Sequence, residues 1–128
     1  MQQVLFIALG GSLGAVARYG VSSYVLTTVN EIFPWGTLIV NLSGSFLMGV
    51  VIELFEHTIV PPNLRSLITI GFLGAYTTFS TYSMETVNLL RDGEVRLATT
   101  NFLLSNVLAC VLFILGIYCS RVSFKLFS

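Results

Sequence analysis

Charged residues are scarce in this sequence. Only 9% of the 128 residues are Asp, Glu, Lys or Arg, and the mean hydropathy is +0.88. A soluble domain normally carries about 25% charged residues. The shortage therefore excludes a soluble globular protein and predicts an integral membrane protein with one domain, residues 1–128.

Several functional classes are excluded by residues that are missing. Six basic residues balance six acidic ones, which argues against nucleic acid as a partner. Cys110 and Cys119, the two cysteines, match no metal or redox motif. The one histidine, His57, falls in a predicted loop, so a haem anchor is unsupported. The apolar stretches offer no His or Asp to activate a serine, so we expect no enzymatic activity.

Long apolar runs dominate what is present. A helix that crosses a bilayer needs about 20 mostly apolar residues, and four stretches qualify: 4–26, 35–55, 67–90 and 97–119. Pro34, Pro61-Pro62 and Asp92-Gly93 provide the turn signals between them. The first stretch lacks the positive flank of a signal peptide, so we expect it to be a retained helix. The sequence thus predicts an all-α membrane protein with four transmembrane helices.

The basic residues do not set an orientation. One side of the four-span arrangement carries Arg65, Arg121 and Lys125, and the other carries two Arg residues, or three if Arg18 is counted. The positive-inside rule therefore favours neither side. Two interpretations stay open, namely insertion of individual copies either way up and a weakly biased single orientation.

The first stretch contains a small-residue face and one charge. Gly10 and Gly14 are four residues apart, which is typical of close helix packing. Arg18 follows them. An intramembrane arginine is a functional candidate, here as positive charge at a pore mouth that attracts an anion. The alternative is an anchor whose side chain extends to the membrane surface.

Polar side chains form stripes on two other helices. Thr37, Asn41 and Ser45 follow one another at a spacing of four, so they share one helix face. Asn101 and Ser105 repeat that spacing in the last stretch. Aligned polar groups inside a membrane helix favour a lined path.

The third stretch contains the unusual segment GFLGAYTTFSTYS at 71–83. Its glycines and its TTFST run have poor helix propensity, so we expect the helix to break there. A break at membrane depth needs freed backbone groups to be buried or to face a cavity, and freed carbonyls can coordinate a cation.

Aromatic residues follow the expected break. Phe79 and Tyr82 lie three residues apart on one face, and Glu85 lies three further on. Two aromatic residues at this spacing often serve only to pack against a neighbouring helix. However, aromatic ring edges are electropositive, and the stripes supply hydrogen-bond donors without an acidic ring, so the set suits an anion. Weak, repeated sites of this kind permit conduction.

Four motifs together resemble those of the Fluc/CrcB fluoride channels. They are GGSLGAVARY (10–19), GTLIVNLSGSFLMG (36–49), GFLGAYTTFSTYSME (71–85) and the pair Asn101 and Ser105. The resemblance covers nearly the whole chain. It implies a bacterial inner-membrane channel that expels fluoride passively, built as an antiparallel, dual-topology homodimer with two pores and surrounded by membrane lipid.

The resemblance also implies site residues. Together with the stripes it assigns the pore to Asn41, Phe79, Tyr82, Ser80, Thr81, Ser105, Glu85, Thr37 and Arg18. It further implies a structural sodium ion at the dimer centre, held by the backbone carbonyls of Gly74 and Thr77. The family has Phe at the second aromatic position. Tyr82 adds a phenolic donor there, which can hold fluoride too tightly or block its passage.

The alternative function is a dual-topology, proton-coupled carrier of the small multidrug-resistance type. Those carriers have a similar length and four helices. They use a buried carboxylate in the first helix to bind protons and cationic drugs, whereas the first stretch here contains Arg18 and no acid.

Overall fold

The computed structural model describes residues 1–29 and 31–127, and all regular structure in those ranges is helical. The helices that form as one piece are α1 (Gln2–Thr28), α2 (Trp35–His57) and α4 (Phe79–Arg91). Two others combine α-helical pieces with a wider π-helical piece. These are α3 (Pro62–Ser66, Leu67–Leu73 and Gly74–Tyr76) and α5 (Val95–Leu103, Leu104–Leu108 and Ala109–Phe127).

Three helices in the described part of the chain are long and apolar enough to cross a membrane: Gln2–Thr28, Trp35–His57 and Val95–Leu126. The chain is therefore a multi-pass membrane protein, and the all-α prediction is confirmed. The third predicted stretch, 67–90, is divided between α3 and α4. The two residues between them are extended, with ψ of 155° at Thr77 and 114° at Thr78.

The α2–α3 connection is shorter than the sequence predicts. The sequence places His57 in a loop, but it is the last residue of α2, and its Nε2 lies 3.1 Å from Glu53 Oε1 one turn earlier. Helix α3 begins at Pro62. Proline suits this position, because the first N–H of a helix has no carbonyl partner within the helix. Arg65 closes the connection, because its guanidinium donates to the Phe55 carbonyl and lies over the Phe55 ring.

The glycine face of α1 packs against α3 within the same chain. Gly10 and Gly14 are both buried. A Cβ atom on Gly10 would collide with the Leu67 carbonyl oxygen, and one on Gly14 would collide with the Phe72 carbonyl oxygen. The packing interpretation of these glycines is confirmed. Because α3 already occupies this face, the two glycines provide no argument for contact with a second copy.

Helices α2 and α5 make a second close contact. Gly49 and Gly116 approach each other's helix so closely that a Cβ atom on either would collide with a backbone carbonyl oxygen. Beyond Gly49, Arg121 donates to both carboxylate oxygens of Glu53 at 2.8 and 3.1 Å. This end of α2 is therefore tied to α5 by backbone proximity and by a bidentate ion pair.

Large apolar side chains lie mainly on the outside of the protein. Leu5, Leu9, Leu13 and Val16 are all exposed along α1, whereas Asn101 is almost fully buried. A soluble protein would have the opposite pattern. The apolar exterior is suited to lipid tails or to another apolar helix.

Candidate functional site

The site begins at the two extended residues between α3 and α4. Thr78 is the N-cap of α4, and its Oγ1 accepts the backbone N–H of Thr81 at 3.2 Å. Threonine is a favourable N-cap because its hydroxyl satisfies a helix N–H that has no carbonyl partner. The hydroxyl of Thr78 also donates to Thr81 Oγ1 at 2.9 Å and lies 3.4 Å from Ser80 Oγ.

Asn41 of α2 holds this junction in place. Its Oδ1 accepts the Thr78 N–H at 2.7 Å, and its Nδ2 donates to the Thr78 carbonyl at 3.0 Å. Both ends of one side-chain amide are therefore engaged by one backbone residue. The Asn41 amide keeps one N–H for another acceptor, since an amide nitrogen has two.

The same hydrogen bonds release two carbonyl groups. In a continuous helix the Thr78 N–H would bond to the Gly74 carbonyl, and the Thr81 N–H would bond to the Thr77 carbonyl. Here the first N–H goes to Asn41 and the second to the Thr78 hydroxyl. The carbonyls of Gly74 and Thr77 thus lose their helical donors to side chains.

A cavity of about 200 Å³ lies beside the junction. Its lining includes four predicted pore residues, Asn41, Phe79, Tyr82 and Ser105, and no charged side chain. The other lining residues are Ser45, Thr77, Thr78, Asn106 and Ala109. The Phe79 and Tyr82 rings are tilted by 54° with centroids 5.3 Å apart. Tyr82 is 5% exposed, whereas Phe79 is 74% exposed and presents its ring outward.

Side chains of α5 complete the far wall of this cavity. Ser105 Oγ donates to Asn101 Oδ1 at 3.3 Å, and Asn101 Nδ2 donates to Thr86 Oγ1 at 2.9 Å. Asn106 Nδ2 donates to the Tyr82 hydroxyl oxygen at 2.8 Å. The bonds to Thr86 and Tyr82 fix α5 against α4 through polar groups, which is how helices associate where there is no hydrophobic driving force.

A second cavity, of about 170 Å³, is lined by Thr37 of α2 and Glu85 of α4, two further residues of the predicted pore. Thr37 Oγ1 donates to Glu85 Oε1 at 2.7 Å. The other carboxylate oxygen, Oε2, is buried and has no hydrogen-bond partner among the described residues. A buried polar atom without a partner is rare in folded proteins. Ser22, Ser23 and Gly36 also line this cavity.

The other predicted site residues lie outside both cavities. Ser80 is exposed and Thr81 is half-buried, and both contact the Thr78 hydroxyl at the start of α4. Arg18 is half-buried on α1 and lines neither cavity. Gly74 is exposed on α3, at the end that faces the junction.

Sequence reasoning missed two residues of the site. Thr78 is absent from the predicted set, although a threonine placed directly before a predicted helix start is a typical N-cap signal. Asn106 is absent as well. Nothing in its spacing relates it to Tyr82, because that contact depends on how α4 and α5 pack.

A metal ion in this part of the protein would need oxygen ligands from the backbone or from hydroxyl groups. Residues 1–29 and 31–127 contain no cluster of three or more His, Cys, Asp or Glu side chains that could hold a metal. The two carbonyls released at the junction are ligands of the kind that hard cations prefer.

Comparisons with known proteins agree with the motif pattern. The sequence profile described as CrcB-like protein, Camphor Resistance (CrcB), matches residues 5–117. A fluoride-specific ion channel FluC from Magnetococcus marinus is 52% identical over 111 residues, which is 86% of this chain and 89% of that protein. A second protein with that name, from Geotalea daltonii, is 48% identical over 94% of this chain and 98% of its own length. A third, from Shewanella amazonensis, is 48% identical over 91% and 94%.

Proposed function

Because the chain belongs to the CrcB-like family, we propose that it is a fluoride-selective ion channel, and not an enzyme, through which cytoplasmic fluoride leaves passively. One observation carries the proposal beyond family membership. The cavity beside the α3–α4 junction combines hydrogen-bond donors and aromatic rings, and its lining contains no charged side chain. Such a lining can bind an anion weakly enough to release it.

Fluoride is small and strongly hydrated, so a dry path must replace its water with other donors. Asn41 and Ser105 provide an amide N–H and a hydroxyl at the cavity wall. The edges of Phe79 and Tyr82 add weaker electropositive contacts. Chloride is larger, and a passage narrowed by these two rings would exclude it sterically.

The polar stripe of α2 gives the path its direction. Thr37 lies in the cavity that contains Glu85, whereas Asn41 and Ser45 lie in the cavity that contains the two aromatic rings. One helix face therefore contributes to both cavities. We expect fluoride to move along this face, with Ser80 and Thr81 contributing hydroxyls and Arg18 drawing anions towards one mouth.

Helices α3 and α4 together would form the fourth membrane crossing, broken in mid-membrane at Thr77 and Thr78. The two helices continue one another in sequence with only these two extended residues between them. A backbone break at that depth is tolerated where the freed groups face protein or a polar cavity, and both residues line the cavity described above.

The working unit would be an antiparallel homodimer with two pores, placed in the bacterial inner membrane. Phe79 is 74% exposed in the single chain although it lines the cavity, so a second copy would close the open side. The balanced basic residues permit insertion either way up. Lipid would cover the remaining apolar exterior.

A structural sodium ion would fit the α3–α4 junction. The carbonyls of Gly74 and Thr77 would hold it, since the N–H groups that would otherwise bond to them donate elsewhere. Broken membrane helices coordinate sodium through such carbonyls. The ion would supply positive charge that ties two antiparallel copies together.

Efflux from liposomes tests the proposed function directly. The purified protein is reconstituted with fluoride or chloride inside, and release is followed with ion-selective electrodes. We expect rapid fluoride release and negligible chloride release, without a need for a proton gradient. Release of a cationic drug driven by a proton gradient, with no fluoride release, would instead support the small multidrug-resistance type of carrier.

Two further measurements test the assembly. Labelling of a C-terminal tag from each side of the membrane should find two populations, and labelling from one side only would contradict dual topology. Replacement of sodium by a larger monovalent cation should reduce fluoride efflux. Efflux that is the same in both salts would argue against sodium at Gly74 and Thr77.

A further inference from the structure

The hydrogen bonds of Asn106 determine where the phenolic proton of Tyr82 points. Asn106 Nδ2 lies 2.7 Å from the Phe102 carbonyl oxygen, one turn earlier on α5. A carbonyl oxygen can only accept, so the side-chain atom that faces it must be the amide nitrogen. The Asn106 amide therefore has a single orientation that satisfies this bond.

The same nitrogen lies 2.8 Å from the Tyr82 hydroxyl oxygen. An amide nitrogen donates and does not accept, so the Tyr82 oxygen must be the acceptor of this bond. The phenolic proton cannot point at Asn106. Among the described residues, no acceptor within hydrogen-bond distance takes it.

Both residues line the cavity of about 200 Å³, and Tyr82 is 5% exposed. The O–H therefore lies beside that cavity and has no acceptor among the described residues. Donation from Asn106 also polarises the hydroxyl, because hydrogen bonds in a chain strengthen one another.

From this geometry we infer that the Tyr82 hydroxyl is a direct hydrogen-bond donor to a small anion in the cavity, and that Asn106 is the positioning residue that orients it. The identification of that anion as fluoride rests on the proposed function. The site differs from one built on ring edges alone, because an O–H bond to an ionised acceptor is stronger than an edge contact.

A donor of this strength changes both binding and release. Fluoride should bind more tightly than it would beside a phenyl ring and should leave more slowly. Tyr82→Phe removes the hydroxyl and keeps the ring. We expect the half-saturating fluoride concentration for liposome efflux to rise about tenfold, which corresponds to about 1.4 kcal/mol, while the maximal flux stays the same or rises.

Asn106→Leu tests the positioning role. It should raise the half-saturating concentration about threefold, since the hydroxyl remains but is no longer oriented. In the double variant Tyr82→Phe with Asn106→Leu, the second change should have no further effect on half-saturation. A purely structural role for Asn106 would instead give the same loss in both backgrounds.

Tyr76→Phe is the matched control. Tyr76 is also a buried tyrosine, and its hydroxyl lies 3.0 Å from Ser43 Oγ, but it does not line the cavity. The half-saturating fluoride concentration of the Tyr76→Phe variant should be unchanged. If the unmodified protein releases fluoride and Tyr82→Phe has the same half-saturation, the inference fails alone. If the unmodified protein releases no fluoride, the proposed function has failed.

Discussion

The two halves of α2 each contact one carboxylate, and these two carboxylates are hydrogen-bonded to very different degrees. In the C-terminal half, Glu53 receives two bonds from Arg121 and lies beside His57. In the N-terminal half, Thr37 provides the only hydrogen bond to Glu85 within the described residues. The Glu53 carboxylate is bonded at both oxygens, whereas that of Glu85 has a buried oxygen with no partner in the described part of the chain.

Packing also differs between the two halves of α2, and the C-terminal half is the more tightly packed. Gly49 brings α2 against the backbone of α5 with no space between them. Around Thr37 and Asn41 the helix instead faces two cavities. The N-terminal half therefore has space for a transported anion, and Asn41 keeps one N–H that can donate to it. The C-terminal half holds the helix in position.

Asn41→Asp should have the largest effect on fluoride efflux, because it puts a negative charge into the N-terminal half of α2, beside the cavity. A carboxylate would repel fluoride and could not donate to the Thr78 carbonyl. Two like charges 4 Å apart repel by about 4 kcal/mol at an effective dielectric of 20, so we expect fluoride efflux to fall about a thousandfold. The measurement is initial efflux rate from liposomes at matched protein density.

Asn88→Asp is the control for this prediction. Asn88 is exposed on α4 and lines neither cavity, so the same chemical change should leave efflux normal. Near-normal efflux from Asn41→Asp would mean that the anion does not pass this side chain.

Phe79→Ile should have the next largest effect. Isoleucine keeps much of the bulk but removes the electropositive ring edge. We expect at least a tenfold loss of fluoride efflux, with an unchanged elution volume in size-exclusion chromatography. Phe102→Ile, at an exposed ring on α5, should conduct normally. If Phe79→Ile also conducts normally, the two aromatic rings only pack.

Gly49→Ala tests the packed half. The new methyl group would meet the Phe113 carbonyl oxygen, and overpacking of this kind typically destabilises a protein by about 1–3 kcal/mol. Gly11→Ala is the matched control, because a Cβ atom there meets nothing within 4 Å. It should be neutral or stabilising by about 0.5–1 kcal/mol. Denaturant unfolding in detergent compares the two, and equal stabilities would contradict the close contact.

The sequence predicted the membrane class and the positions of the long helices, because hydropathy over 20 residues reports burial in lipid directly. The spacing of Thr37, Asn41 and Ser45 also placed them on one face. The sequence did not predict the contacts between helices. The pairing of Asn41 with the Thr78 backbone and of Asn106 with Tyr82 depends on helix rotation and tilt, which a single sequence does not specify.

The bond between Glu53 and Arg121 was missed for a related reason. The two residues are 68 positions apart, and each looks like an isolated charge near a helix end. An acidic residue inside an apolar helix is by itself a signal that a basic partner lies nearby. Their pairing also explains why Glu53 offers no free negative charge to the membrane.

Glu85→Gln should have the smallest effect, and it compares the two carboxylates directly. Glutamine keeps an oxygen that can accept from Thr37 and removes a negative charge from the anion's path. We expect fluoride efflux to rise about fivefold, equivalent to about 1 kcal/mol, with no loss of stability. Glu53→Gln should do the opposite, because Arg121 would lose its charged partner: melting temperature should fall and efflux per folded protein should not change. Slower efflux from Glu85→Gln would show that fluoride passage requires the carboxylate itself.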